Sequence, residues 1–244
     1  VAHFKLKKSL MKKRIFLFLA AFQFFSCGEL QQVINQMPQE GLGNAEIASG
    51  LRQALDFGID KQVSKLTKVD GFYKNELVKI LLPAELQKVD KVLRDIGLDQ
   101  LADEGLKVLN RAAEDAVGEA TPIFVNAVKG ITFNDAKTIL LGGDDAATQY
   151  LTKVTQTELY GKFNPVIKSS FDKVGADAVW ADLIGRYNSI PLVKKVNPDL
   201  TDYVTTEALN GVYKMIAIEE KEIRNKLSSR TTDLLRRVFA IQDN

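Results

Sequence analysis

Past residue 27 the sequence contains neither cysteine nor histidine, since the one histidine is His3 and the one cysteine is Cys27. A body without imidazole has no Ser-His-Asp or Cys-His nucleophile system and no histidine-bearing zinc or iron site. Most hydrolase and metalloenzyme classes fall with it, and the sequence assigns no catalytic residue, metal ligand or cofactor. Phosphate-gripping loops are missing too. The run Gly142-Gly143-Asp144-Asp145 places carboxylates where a P-loop needs its lysine. Neither Asp144-Asp145 nor the group Asp99, Asp103 and Glu104 has the Asp-x-Asp-x-Asp-Gly order of a calcium loop. Helix caps and a solvated face account for them. A basic field is lacking once charge is placed along the chain. Of 33 Lys+Arg, six (Lys5, Lys7, Lys8, Lys12, Lys13, Arg14) precede Cys27, leaving 27 against 31 Asp+Glu, a net of about −4. That balance argues against a nucleic-acid partner and against polybasic adsorption to anionic lipid.

What is present begins with an ordered N-terminus. Met11-Lys12-Lys13-Arg14 is basic, Ile15 to Phe25 is apolar except for Gln23, and Ser26 is small. This is the three-part layout of a secretory signal over 1–26, with translation expected to start at Met11. The apolar run is about half of the roughly 20 residues that a membrane span needs. A cysteine directly after the cleavage point resembles a bacterial lipobox, although Phe24 stands where leucine is usual and Phe25 is large. The resemblance implies that Cys27 becomes a lipid-bearing N-terminus, the alternative being a secreted protein whose cysteine merely lies near the cut. Gly28 is not the Asp that resembles an inner-membrane retention signal, so a periplasm-facing outer-membrane lipoprotein of the bacterial envelope is expected. Residues 27–43, rich in Gly and Gln and containing Pro38, read as a tether.

From Asn44 onward the apolar period is helical. Ile47, Leu51, Leu55, Ile59 and Val63 recur at i+4, with Ala54 and Leu66 on the same side. Pro83 suits the start of a second helix with Leu86, Val89, Leu93 and Ile96 inward, and Gly97 its end. Asp99 opens a third through Leu106, Leu109, Ala113 and Val117, until Pro122 kinks or restarts it. Thr132 with Asp135, and Thr155 with Glu158, have capping-box spacing and predict two further starts. Gly142-Gly143-Asp144 predicts a stop and a new cap. Val179, Trp180, Leu183, Ile184 and Tyr187 form another apolar face, a long helix carries Leu209, Val212, Tyr213, Ile216 and Ile223, and Thr231 to Phe239 closes the chain. No stretch alternates long enough for a strand. The expectation is an all-α, single compact domain of about nine or ten helices over 44–244.

The segments NRAAEDA (110–116), GGDDAATQYL (142–151), YVTTEALNGVYKMIAIEEKEIR (203–224) and RTTDLLRRVF (230–239) resemble the bacterial secreted domain-of-unknown-function family 4197, in order, over about Asn44 to Phe239. The resemblance implies an α-helical fold and carries no assigned reaction or site residue.

One polar group remains. Asn110, Arg111 and Glu114 lie within about one helical turn, and Arg111 reaches Glu114 at i,i+3. Glu219 and Glu220 lie between the inward Ile216 and Ile223, so one of them is expected to be partly buried. An internal ion pair of Arg111 or Arg230 with Glu219 or Glu220 would fix helix register. A carboxylate pair acting as acid and base is the competing reading. Tyr150, Tyr160, Trp180, Tyr187 and Tyr213 read as core in preference to a ligand platform. Three function classes follow: a non-catalytic binding or interaction module with an envelope protein as partner, a carrier of a lipid or other small apolar ligand, and a His-free carboxylate hydrolase.

Overall fold

A computed structural model describes residues 43–243 apart from 96, 98, 190, 193, 194 and 198. The signal segment, Cys27 and the rest of the tether up to residue 42 lie outside the described residues, as do the side chains of Leu93, Ile96, Val179, Leu183 and Tyr187. The chain is all-α. Its helices are α1 (Asn44–Leu66), α2 (Ala84–Asp95), α3 (Asp99–Val117), α4 (Ala120–Gly130), α5 (Phe133–Leu140), α6 (Ala146–Val174), α7 (Ala176–Ser189), α8 (Thr201–Asn225) and α9 (Asp233–Phe239). Two 3-10 turns, Leu227–Ser229 and Ala240–Gln242, flank α9. Among the described residues there is no strand, and no helix is long and apolar enough to cross a membrane.

The i+4 stripes of the sequence become the core. Leu51, Leu55, Ile59, Val63 and Leu66 of α1 are buried, as are Leu109, Ala113 and Val117 of α3 and Leu209, Val212, Tyr213 and Ile216 of α8. Ile47 and Leu106 are only half-buried. α8 packs against α6, α1 and α3, α3 packs on α6, and α9 closes over α1. Close approach is set by glycine at Gly211 of α8. A Cβ there would lie 2.8 Å from Cε1 of the fully buried Phe72 ring and 3.3 Å from Cβ of Val78. Gly211→Ala is therefore expected to destabilise by about 1–3 kcal/mol in urea unfolding, despite the better helix propensity of alanine.

Local stops behave as their residues dictate. Gly97 takes φ +81 after α2, and Gly175 takes φ +64 after α6, a region that glycine enters without steric penalty. The Thr132–Asp135 capping box forms at the start of α5. Thr155 does not start a helix. It lies inside α6, 1% exposed, where its hydroxyl bonds the Leu151 carbonyl at 2.7 Å and meets the Tyr213 hydroxyl at 2.8 Å. Burial against α8 takes the hydroxyl that a cap would need. α6 also runs on through Pro165, which forgoes the helical hydrogen bond that its missing N–H would have donated to the Gly161 carbonyl.

Candidate functional site

The polar residues singled out from the sequence fall into separate clusters, all but that of Glu219 directed at backbone. In α3, Asn110 is fully buried. Its Oδ1 accepts from Ile80 N at 2.8 Å, and its Nδ2 donates to the Ile80 and Leu106 carbonyls at 2.9 and 2.8 Å. One side-chain amide thus takes the place of a strand partner for the segment between α1 and α2. One turn on, the Glu114 carboxylate accepts from the amides of Phe72 at 3.0 Å, Tyr73 at 3.3 Å and Asp70 at 3.3 Å. Arg111 bonds the same carboxylate and reaches Asp70 at 2.5 Å. These bonds hold a tight turn in which Asp70 takes φ +68. Gly71 follows because a Cβ there would lie 2.4 Å from the Leu66 carbonyl oxygen.

In α8 the second cluster is Glu220 with Arg224, an i,i+4 pair at 2.7 Å with both side chains buried. Glu220 accepts from the amides of Ala147 and Thr148 at 2.8 Å each and from the Thr148 hydroxyl at 2.8 Å. Arg224 donates to the carbonyls of Ile139 at 2.8 Å and Leu140 at 3.1 Å. The acid therefore sits at the N-terminus of α6 and the base at the C-terminus of α5, the signs that helix dipoles favour. This replaces the cap expected from Gly142-Gly143-Asp144. Asp145 precedes α6 without capping it through its side chain, while Asp144 bonds Asn225 and Lys221.

The expected pairings of Arg111 or Arg230 with Glu219 or Glu220 do not form. Arg230 is 2% exposed and donates to the carbonyls of Ile223 at 3.0 Å and Arg224 at 2.8 Å. Its remaining donors form a two-pronged bridge to Asp243 at 2.5 and 2.7 Å. Glu219, on the adjoining face of α8, bonds Lys61 at 2.6 Å and Gln62 at 2.8 Å of α1. Successive helical residues point about 100° apart, so Glu219 and Glu220 reach different neighbours and form no facing carboxylate pair. Asp99 and Asp103 both lie on Arg94, at 3.8 and 2.8 Å. Among the described residues no group of three or more His, Cys, Asp or Glu is arranged to hold a metal.

The interior beside Glu220 and Arg224 is nearly solid. A cavity lined by Leu51, Leu55, Ile216, Ile223 and Phe239 measures about 20 Å³, room for about one water. An apolar carrier needs about 300 Å³ or more. Tyr213 and Trp180 are core, and burial pushes the Tyr213 phenol above its ordinary value. Tyr160 bonds Asp202 on the surface.

Five described aspartates, Asp70, Asp135, Asp144, Asp199 and Asp243, are held below their ordinary value near 3.8, Asp70 by the hydrogen bond from Lys74 and the Arg111 charge, and Asp243 by the hydrogen bond from Arg230. A depressed native value stabilises the fold above the unfolded value and loses that contribution as pH falls through the native one. The melting temperature is thus expected to fall on acidification below about pH 4, and the fall to be shallower in Asp70→Asn and Asp243→Asn. A pH series of thermal melts measures both.

The sequence showed Asn110, Arg111, Glu114, Glu219, Glu220 and Arg230 but missed most of their partners. Asp70, Lys61, Gln62, Thr148 and Asp243 lie far away in the chain or across a turn. The Asp70-Gly71 dipeptide, a turn signal, and the i,i+4 spacing of Glu220 with Arg224 were available clues.

The class defined by this fold and these clusters is an all-α domain whose buried ions bind its own backbone. The chain belongs to the family described as "Protein of unknown function (DUF4197)", whose model matches residues 41–240. Comparison with curated proteins and with solved structures gives no match.

Proposed function

We propose that this chain is a cell-envelope lipoprotein, anchored through Cys27 and facing the periplasm, whose helical domain serves as a non-catalytic binding or interaction module. The observation that carries the second half is the use made of the ionised residues. Glu114, Glu220, Arg224 and Arg230 spend their hydrogen bonds on backbone and on side-chain partners of the same chain, which leaves them no face toward a substrate. The cavity beside Glu220 is too small for a carrier site, and a roomier hollow of about 340 Å³ at Leu81, Leu82 and Leu106 opens to solvent, which favours a binding surface over an internal carrier site. The anchor rests on the order basic, apolar, Ser26, Cys27, and the outer membrane is proposed on Gly28.

Cys27→Ser tests the anchor. Labelled palmitate is expected to enter the parent and not the variant, and the variant to leave the membrane fraction or stay unprocessed. A processed variant that still sediments with membranes would contradict the lipid anchor.

A further inference from the structure

The segment between α1 and α2 turns apolar side chains outward. Val69 is 78% exposed, Leu81 55% and Leu77 48%, while Phe72, Val78, Ile80 and Leu82 are buried among them. Over 77–82 burial alternates, with Leu77 and Leu81 exposed and Val78, Ile80 and Leu82 buried. The inward set fills the core, so the outward set must face solvent. Asn110 and Glu114 hold this backbone in place from α3, which presents the outward set in a fixed arrangement.

Cations surround it. Val69 and Leu77 line one open hollow with Lys65, Lys68 and Lys74 and with the acids Asp70 and Glu76. Lys79 lies 4.7 Å over the Tyr73 ring, and Lys214 of α8 donates to the Leu77 carbonyl at 2.7 Å. From Lys65 to Leu82 the four lysines meet two acids, Asp70 and Glu76. Asp70 is already paired with Lys74 and Arg111. Among the described residues Lys65 and Lys68 have no ion-pair partner. A net charge near −4 beyond residue 27 therefore conceals one basic face.

We infer that this face docks on an anionic lipid surface. Val69, Leu77 and Leu81 enter the headgroup region, and the lysines reach along it to phosphates, their stems lying on apolar ground. Charge selects the occupant. A neutral apolar partner would leave Lys65 and Lys68 desolvated without counter-charge, whereas a phosphate surface supplies one within a Debye length of each. The inference goes beyond the proposed function and stands whether or not Cys27 carries a lipid.

The test uses the full chain with Cys27→Ser and Val69→Cys, labelled at the new thiol with a polarity-sensitive dye. On vesicles of phosphatidylethanolamine with about one-third phosphatidylglycerol the dye is expected to shift to the blue, and on phosphatidylcholine alone it is not. Adding Lys65→Glu and Lys68→Glu should raise the half-saturating lipid concentration about tenfold or more. The same dye at Leu227→Cys, just past the far end of α8 and roughly 17 Å or more along the helix from Lys214, should not respond. An equal response at both positions, no response at residue 69, or indifference to the lysine reversals would overturn the inference. Binding to polyglutamate without binding to vesicles would also overturn it, in favour of an acidic protein partner.

Discussion

Glu220→Ala lowers the stability of the domain by about 3–5 kcal/mol, because the substitution strands a buried guanidinium and two buried amides at once. Arg224 keeps its bonds to the Ile139 and Leu140 carbonyls but loses its counter-ion. The amides of Ala147 and Thr148, at the first turn of α6, lose their acceptor. For a domain of this size the loss corresponds to a fall of roughly 6–20 °C in melting temperature. Glu220→Gln keeps one acceptor oxygen for α6 and should fall between parent and alanine variant. Thermal or urea unfolding of the three proteins reads the order directly.

Glu114→Ala acts on a different element and is expected to cost about 3 kcal/mol, since the buried Phe72 amide and its neighbours lose their only side-chain acceptor. The consequence is local before it is global. The segment 67–82 has no helix of its own to hold it, so hydrogen exchange at the Phe72 and Tyr73 amides should speed up more than exchange in α6 or α8. Equal acceleration everywhere would mean that Glu114 supports the fold only as a whole. The same variant should weaken any activity of the lysine-ringed face, whose shape depends on this turn.

The helices were legible because their signal is local. Leu51, Leu55, Ile59 and Val63 lie on one α1 stripe in the sequence and on one buried stripe in the structure. Capping was legible only in part. Thr132 with Asp135 and Thr155 with Glu158 share one spacing, yet only the first pair caps, because spacing permits a cap and burial decides it. The true partner of the α6 N-terminus is Glu220, 73 residues on from Ala147, and no local pattern specifies a contact of that separation. The basic face escaped notice for a related reason. Net charge averages over the chain, and the lysines gather only when Leu66 ends α1 and Lys214 of α8 comes alongside Leu77.

The claim that the ionised residues of this domain hold its fold, and do not serve a reaction, is tested most directly by thermal unfolding of Arg111→Ala, Glu219→Ala and Glu220→Ala in parallel. The pairing geometry predicts a large fall for Glu220→Ala and a clear fall for Arg111→Ala, which breaks the bridge between Asp70 and Glu114. Glu219→Ala, which gives up the exposed Lys61 and a bond to Gln62, should change least. Carboxylates kept for catalysis behave in the opposite sense, since neutralising one of a repelling pair relieves strain and stabilises the fold. Three variants as stable as the parent, or more stable, would contradict the account.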